Sequence, residues 1–315
     1  MSYEKEMLKQ FALPTQKRVE EILLCILLKH GGVVKEFGGG QDVVDEIADQ
    51  FHLTSAQRSA FLETTYRKEN RRKKAYLWHR LLFRAADFLA NQHLVSRPTQ
   101  TLQLTNKREW MLTEKGFDEA LRLANMPSAQ KEYLPTKSYE VQKIAHKLIG
   151  SKRPENYDPI DRSKKSITTT RDSVLRARGF RQAVMEAYDF RCAVCGLKIS
   201  TPDAVSWEVE AAHIVPHRAM GRDDIFNGIA LCGLHHWAFD SGWFTLHDDY
   251  NVLVSPHVNL LPADFGKIED YDFLQALARK TQKIGLPCRR GIYPHINSIR
   301  WHREHIFYNH KQPEA

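Results

Sequence analysis

The sequence predicts an α+β protein in two parts, a mainly helical N-terminal domain and a small C-terminal domain folded around a metal. Three observations carry this. Apolar residues recur at helical spacing through most of residues 12–124. Cys, His, Asn and Asp crowd into residues 192–240 at spacings that suit metal ligands. Between them, residues 151–171 (SKRPENYDPIDRSKKSITTTR) have the Pro, Ser, Thr and charge content of an exposed linker.

The N-terminal elements follow in order. Residues 15–30 (TQKRVEEILLCILLKH) form a helix, with Thr15 placed to cap it and Gly31–Gly32 to stop it. Cys25 falls inside its apolar face and reads as a core residue. Residues 41–54 give a second helix, and a third begins at Ser55. Residues 76–95 are strongly amphipathic, with Leu77, Leu81, Ala85 and Leu89 on one stripe. A turn at Arg97–Pro98 leads through the short segment TLQLT to WMLTEKG, a strand that closes into a last helix.

One helix is expected within 128–150, and another where RDSVLRARGFRQAVMEAY carries Arg171, Arg176, Arg178 and Arg181. Beyond Asp240, GWFTLHDDYNVLVSP reads as a β-hairpin turning at Asp248–Asn251. The tail from about 257 holds one helix (DYDFLQALARKTQK) and an aromatic, basic end, to which no function is assigned. Cys288 reads as a free thiol.

The chemistry lies between Cys192 and Asp240. Cys192 and Cys195 form one C-x-x-C knuckle, and Cys232 with His235 repeats the offset 40 residues later. Two such knuckles can enclose tetrahedral zinc, so these four residues read as a closed structural site of the Cys₃His class. A thioredoxin-type redox pair would need no second knuckle. His213 lies in VEAAHIVP, an apolar-rich segment ending at Pro216 that suits a short strand. Asn227 follows a polar turn, and GIALC after it reads as the entry to a helix carrying His235, His236 and Asp240. On a helix His236 and Asp240 share a face, and carboxylate plus imidazole suits Mg²⁺ or Mn²⁺. A lone His facing such a cation across a phosphate can deprotonate water. Asn227 either holds the loop that positions His213 or ligates the metal. Trp237, Phe239, Trp243 and Phe244 are expected to pack the helix against the hairpin.

The pattern C-x₂-C, A-H-I-x-P, N-x₄-C-x₂-H-H-x₃-D resembles the HNH (ββα-metal) nucleases over about residues 180–255. The resemblance implies His213 as general base, His236 and Asp240 as holders of the catalytic metal, and Asn227 in the asparagine role. Many members place Asp or His immediately before the base, where this chain has Ala212. Glu210, two residues earlier, is the replacement ligand expected here, with Glu208 or a water as alternatives.

Helices followed by a β-hairpin and a terminal helix is the winged-helix order, and residues 12–124 resemble the N-terminal winged-helix domain of Mrr-type restriction proteins. In such folds one helix enters the major groove. The run RKENRRKK (67–74) puts Arg71, Arg72, Lys73 and Lys74 before the long helix, either on DNA phosphates or as a solvated loop. Arg176, Arg178 and Arg181 are expected on the backbone near the active site.

Composition agrees with an anionic partner. The 315 residues carry 46 Lys plus Arg against 38 Asp plus Glu, a net charge of +8. No run of 18 apolar residues suggests a membrane span, no apolar core of a signal peptide follows the start, and the cysteines suit metal rather than disulfides, so the chain reads as cytoplasmic. The expected organisation is a winged-helix recognition domain (12–125), a helical connector and linker (126–170), an HNH domain with structural zinc (171–256) and its extension (257–315). The expected function is a metal-dependent DNA endonuclease acting in restriction, with modified bases a candidate signal and a homodimer one route to double-strand cleavage. The alternatives are a DNA-binding regulator with a silent zinc unit and a structure-specific repair or recombination nuclease.

Overall fold

The structure, a computed structural model, describes residues 3–37, 41–66, 71–128, 131, 134–162, 170–256 and 283–308. The chain divides into two compact units, residues 1–142 and 143–315.

In the first unit, α1 (Tyr3–Gln10) precedes α2 (Gln16–Lys29). Thr15 accepts a hydrogen bond from the Arg18 amide at 3.4 Å, the expected cap. Gly32, at φ 87°, ends the helix, and a Cβ there would overlap the Lys137 carbonyl. Then come β1 (Val33–Lys35), α3 (Gln41–Gln50), α4 (Ser55–Ser59), β2 (Phe61–Tyr66), β3 (Arg71–Tyr76), α5 (Leu77–Asn91), β4 (Val95–Ser96), α6 (Pro98–Thr105), β5 (Glu109–Leu112) and α7 (Glu114–Leu123). β1, β5 and β4 form an antiparallel sheet in that order, with Val33 opposite Met111 and Val95 opposite Leu112. Leu23 and Leu27 of α2, Leu77, Leu81, Ala85 and Leu89 of α5, and Phe117 of α7 are buried. The stripe expected on α5 is therefore its core face.

Two segments go beyond the sequence reading. The helix starting at Ser55 lasts five residues, closed at its start by a Thr54–Gln57 capping box. Residues 61–66 and 71–76 then pair as antiparallel strands, Phe61 opposite Tyr76 and Thr64 opposite Lys73. The aromatic and β-branched content of FLETTY favours extended backbone over more helix. TLQLT is helical in α6, which Pro98 starts in the first turn, where a missing N–H costs nothing.

The division at 142/143 falls within α8 (Tyr139–Ile149), and in the second unit α9 (Thr170–Ala187) packs Phe180 and Val184 into the core. β6 (Val209–His213) pairs antiparallel with β7 (Gly228–Cys232), Ala212 opposite Ile229 and His213 opposite Gly228. Segment GIALC, read as a helix entry, is this second strand, buried at every residue, and α10 (Gly233–Asp240) begins directly after it. Continuous burial removes the alternation by which a strand announces itself. β8 (Phe244–Leu246) and β9 (Val252–Val254) form the expected hairpin, and α11 (Ile296–His302) follows.

The segment read as an exposed linker is partly built into this unit. Tyr157 is 8% exposed. Its hydroxyl donates to Asp224 at 2.8 Å, and Arg222 Nε donates to the Asp158 carbonyl at 2.6 Å. Charge and proline content hid this anchoring aromatic. The helix expected over DYDFLQALARKTQK lies outside the described residues. The tail beyond it is structural: Ile284, Ile292 and Ile299 join the core, and the His295 amide donates to the Phe226 carbonyl at 2.8 Å. Among the described residues no helix is long and apolar enough to cross a membrane.

Candidate active site and metal centre

The two knuckles converge. Cys192 sits just after α9, Cys232 ends β7, and His235 lies on the first turn of α10. The four donor atoms of Cys192, Cys195, Cys232 and His235 all lie within 4.8 Å of one another, the only such group of three or more His, Cys, Asp or Glu among the described residues. A tetrahedral ion with bonds of about 2.3 Å to sulfur separates its ligand atoms by about 3.8 Å. Here Cys195 Sγ is 3.9 Å from Cys232 Sγ, and Cys192 Sγ is 3.7 Å from His235 Nδ1. The edge from Cys232 Sγ to His235 Nδ1 is shorter, at 3.0 Å. Contacts from Cys195 and then Cys232 hold the Cys192 thiol well below the usual thiol range, against the effect of burial. Donor set and spacing fit a metal ion.

His213 ends β6. Its Nε2 lies 3.0 Å from Asp223 Oδ1, and its ring stacks on Phe180 with centroids 4.0 Å apart and planes 19° from parallel. Gly228 opposite it leaves room for this stack, since a Cβ there would come within 2.3 Å of Val184 and 3.1 Å of Phe180. Asp223 was missed in the sequence. Its signal is weak, one acid of the pair in GRDD, and nothing local says which acid meets the histidine. The other, Asp224, turns to Tyr157 and caps the Phe226 amide.

Asn227 is fully buried. Its Oδ1 accepts from the Val215 amide at 2.8 Å, and its Nδ2 donates to the carbonyls of Val215 and Arg222, both at 3.0 Å. Both amide protons are used. Of the two roles left open, these contacts are those of a residue that closes loop 215–222 beneath His213. Gly221 lets that loop approach: a Cβ on it would lie 1.8 Å from the Val215 carbonyl oxygen.

His236 stands between two carboxylates. Its Nδ1 is 2.8 Å from Glu210 Oε2, and its Nε2 is 3.6 Å from Asp240 Oδ2. Burial raises the Asp240 carboxyl, while His236, Arg218 and His213 act against it. His213, His236 and Asp240 therefore share one electrostatic neighbourhood. Ala212 is fully buried and offers nothing to this site. A neutral imidazole has one lone pair. A cation on His236 would take one nitrogen with the carboxylate on that side, and the other carboxylate would accept the remaining N–H. Glu208 is engaged elsewhere, accepting from the Gly233 amide at 3.0 Å.

The remaining expectations divide. Arg176 and Arg181 are exposed, but Arg178 is 4% exposed and is not presented to solvent as expected. Lys74 is exposed, its Nζ 4.5 Å from the centre of the Phe61 ring. The side chains of Arg71, Arg72 and Lys73 lie outside the described residues. Phe239 and Phe244 are core, with centroids 5.3 Å apart, whereas Trp237 is 55% exposed and does not pack as expected.

No curated protein matches the chain. Among solved structures, a modification dependent TagI restriction endonuclease matches with 23% identity over 40% of this chain and 36% of that chain, at a TM-score of 0.28. The chain thus spans about a third of that protein. Residues 192–247 match the HNH endonuclease family. The stretch that holds the knuckles, the ββα frame, His213 and His236 is thus the part of the chain that is similar to HNH endonucleases, which supports a nuclease.

Proposed function

We propose that the chain is a DNA endonuclease of restriction type, in which the second unit cuts and the first unit selects the DNA. The observation that carries the cutting role is the His213–Asp223 pair set beside His236 and Asp240 on one ββα frame.

Asp223 accepts the proton on His213 Nε2 and leaves Nδ1 as the base that takes a proton from the attacking water. Stacking on Phe180 fixes the plane of the ring, and Asn227 holds the loop behind it. The four donors at Cys192, Cys195, Cys232 and His235 suit Zn²⁺, which would staple α10 to the knuckle. His236 with either Glu210 or Asp240 would hold Mg²⁺ or Mn²⁺, and this cation would supply positive charge to the phosphate and the leaving 3′ oxygen. Arg218, close enough to affect Asp240, adds positive charge where the substrate anion sits.

The reading of the first unit as a winged helix is supported by its strand order β1–β5–β4, antiparallel, with β1 after the first core helix and β4 after α5. α5 would then be the helix offered to the major groove. An HNH centre contacts the backbone and carries little base readout, so discrimination, including any for modified bases, falls to this unit.

The test is cleavage of unmodified and cytosine- or adenine-modified DNAs with Mg²⁺ or Mn²⁺, using the parent protein and His213→Ala. Cleavage is expected to vanish in the variant while DNA binding and zinc content persist. A variant that cuts like the parent removes His213 as the base, and equal cutting of every DNA removes the modification-reading part.

A further inference from the structure

The outward side of α5 carries an arrangement that the cutting centre does not use. Along one face, one helical turn apart, stand Tyr76, Arg80 and Phe83 with Arg84, beside the buried stripe of Leu77, Leu81 and Ala85. They line an open cleft of about 480 Å³ whose rim includes Lys74. Tyr76 is 44% exposed and Phe83 39%. Large apolar side chains left in solvent between cations are costly for a surface that meets only water.

The two arginines hold one anion. Arg80 Nη2 lies 2.9 Å from Glu4 Oε2 and its Nε 3.3 Å from Oε1, while Arg84 Nη2 lies 2.5 Å from the same Oε1. Glu4 belongs to α1, outside the sheet and core helices. A carboxylate clasped by two guanidiniums occupies the geometry in which arginine forks bind phosphate oxygens. As a plain surface ion pair, the arrangement would account for α1 but not for the exposed rings or Lys74 beside it.

We propose that this cleft is where the first unit grips duplex DNA, with Arg80 and Arg84 exchanging Glu4 for a backbone phosphate and Tyr76 and Phe83 packing on the sugar and base edge of that nucleotide. The proposal rests on reading the first unit as the DNA-selecting domain. The occupant is DNA because its phosphate matches the arginine pair and its bases and sugars match the rings. Glu4 is then a built-in competitor, which weak, non-specific phosphate binding does not displace.

The experiment measures binding of a fluorescent duplex by the full chain carrying His213→Ala, to prevent cutting, over a series of salt concentrations. Adding Glu4→Gln is expected to tighten binding several-fold. Adding Arg80→Gln with Arg84→Gln is expected to weaken it and to lower the slope of log K against log salt by about 0.9 for each phosphate that is no longer neutralised. Tyr76→Ala is expected to weaken binding with the slope unchanged. Thermal melts check the fold, and if the arginine variant does not fold, the gain in Glu4→Gln decides. Parent-like affinity and slope in Glu4→Gln and in the folded arginine variant overturn the cleft while leaving the DNA-binding reading intact. A parent that binds no duplex overturns both.

Discussion

Asp223 holds His213 by its Nε2, 3.0 Å away, while Phe180 lies flat on the same ring. The carboxylate fixes the tautomer and the phenyl ring fixes the plane, so the remaining nitrogen has one direction in which to accept a proton. Asp223→Ala removes the first constraint and keeps the second. Turnover is expected to fall by about 10–100-fold, the usual loss for an orienting partner, with zinc content, melting and duplex affinity unchanged. Parent-like turnover would remove Asp223 from the mechanism.

The centre at His236 offers a choice of sides. Glu210 stands at Nδ1 and Asp240 at Nε2, at 2.8 and 3.6 Å. Whichever carboxylate shares the cation with His236 sets the metal requirement, and the other only aligns the ring. Titrating cleavage with Mn²⁺ in Glu210→Ala and Asp240→Ala distinguishes them. The ligand's variant is expected to need at least about tenfold more metal, within the range for lost ligation or its support. Parent-like titrations in both variants would place the cation elsewhere.

Cys192 joins the zinc-type cluster to the core, being 2% exposed and packed with Val194 and Val209. Cys192→Ser is expected to lose the bound ion and the cooperative melt of the second unit, because the energy of ion binding is here folding energy. Metal analysis alongside calorimetry checks this. A variant that keeps an unaltered transition would show the cluster to be dispensable for the fold.

Much of the site could be read from the chain because its chemistry is local. Cys192–Cys195 and Cys232–His235 sit at fixed short offsets, and His236–Asp240 is a single helical turn, so spacing alone brings their atoms together. Asp223 could not be read in this way, because it meets His213 through a loop whose path depends on Asn227 and on Tyr157 far upstream. The same logic holds for the fold. The stripe Leu77–Leu89 announced α5 by periodicity, and Thr15 announced its helix by capping. The strand pair at 61–76 was hidden by the charge of β3, and β7 by burial on both faces. In each case the deciding partner lay on another element, beyond reach of the local pattern.

His302, at the end of α11, is the prediction that concerns the tail. It is fully buried, stacked on Phe239 with centroids 3.7 Å apart. Its Nε2 donates to the Phe239 carbonyl at 3.1 Å, so Nδ1 is bare and accepts from the Thr245 hydroxyl at 2.9 Å. The neutral ring is thus satisfied at both nitrogens, and burial pushes its pKa down to about 3. In the unfolded chain the value is about 6.5. Above that pH neither state binds the proton and the contribution to stability is whole. As pH falls from about 6.5 toward 3, the unfolded chain takes up a proton that the folded unit refuses, and stability drops by up to about 1.4 kcal/mol per pH unit. His302→Gln preserves a donor for Phe239 and an acceptor for Thr245 but cannot titrate. Unfolding free energies by denaturant at pH 7, 6, 5 and 4 should therefore fall less steeply in the variant, and equal slopes would show that His302 is not the linked group.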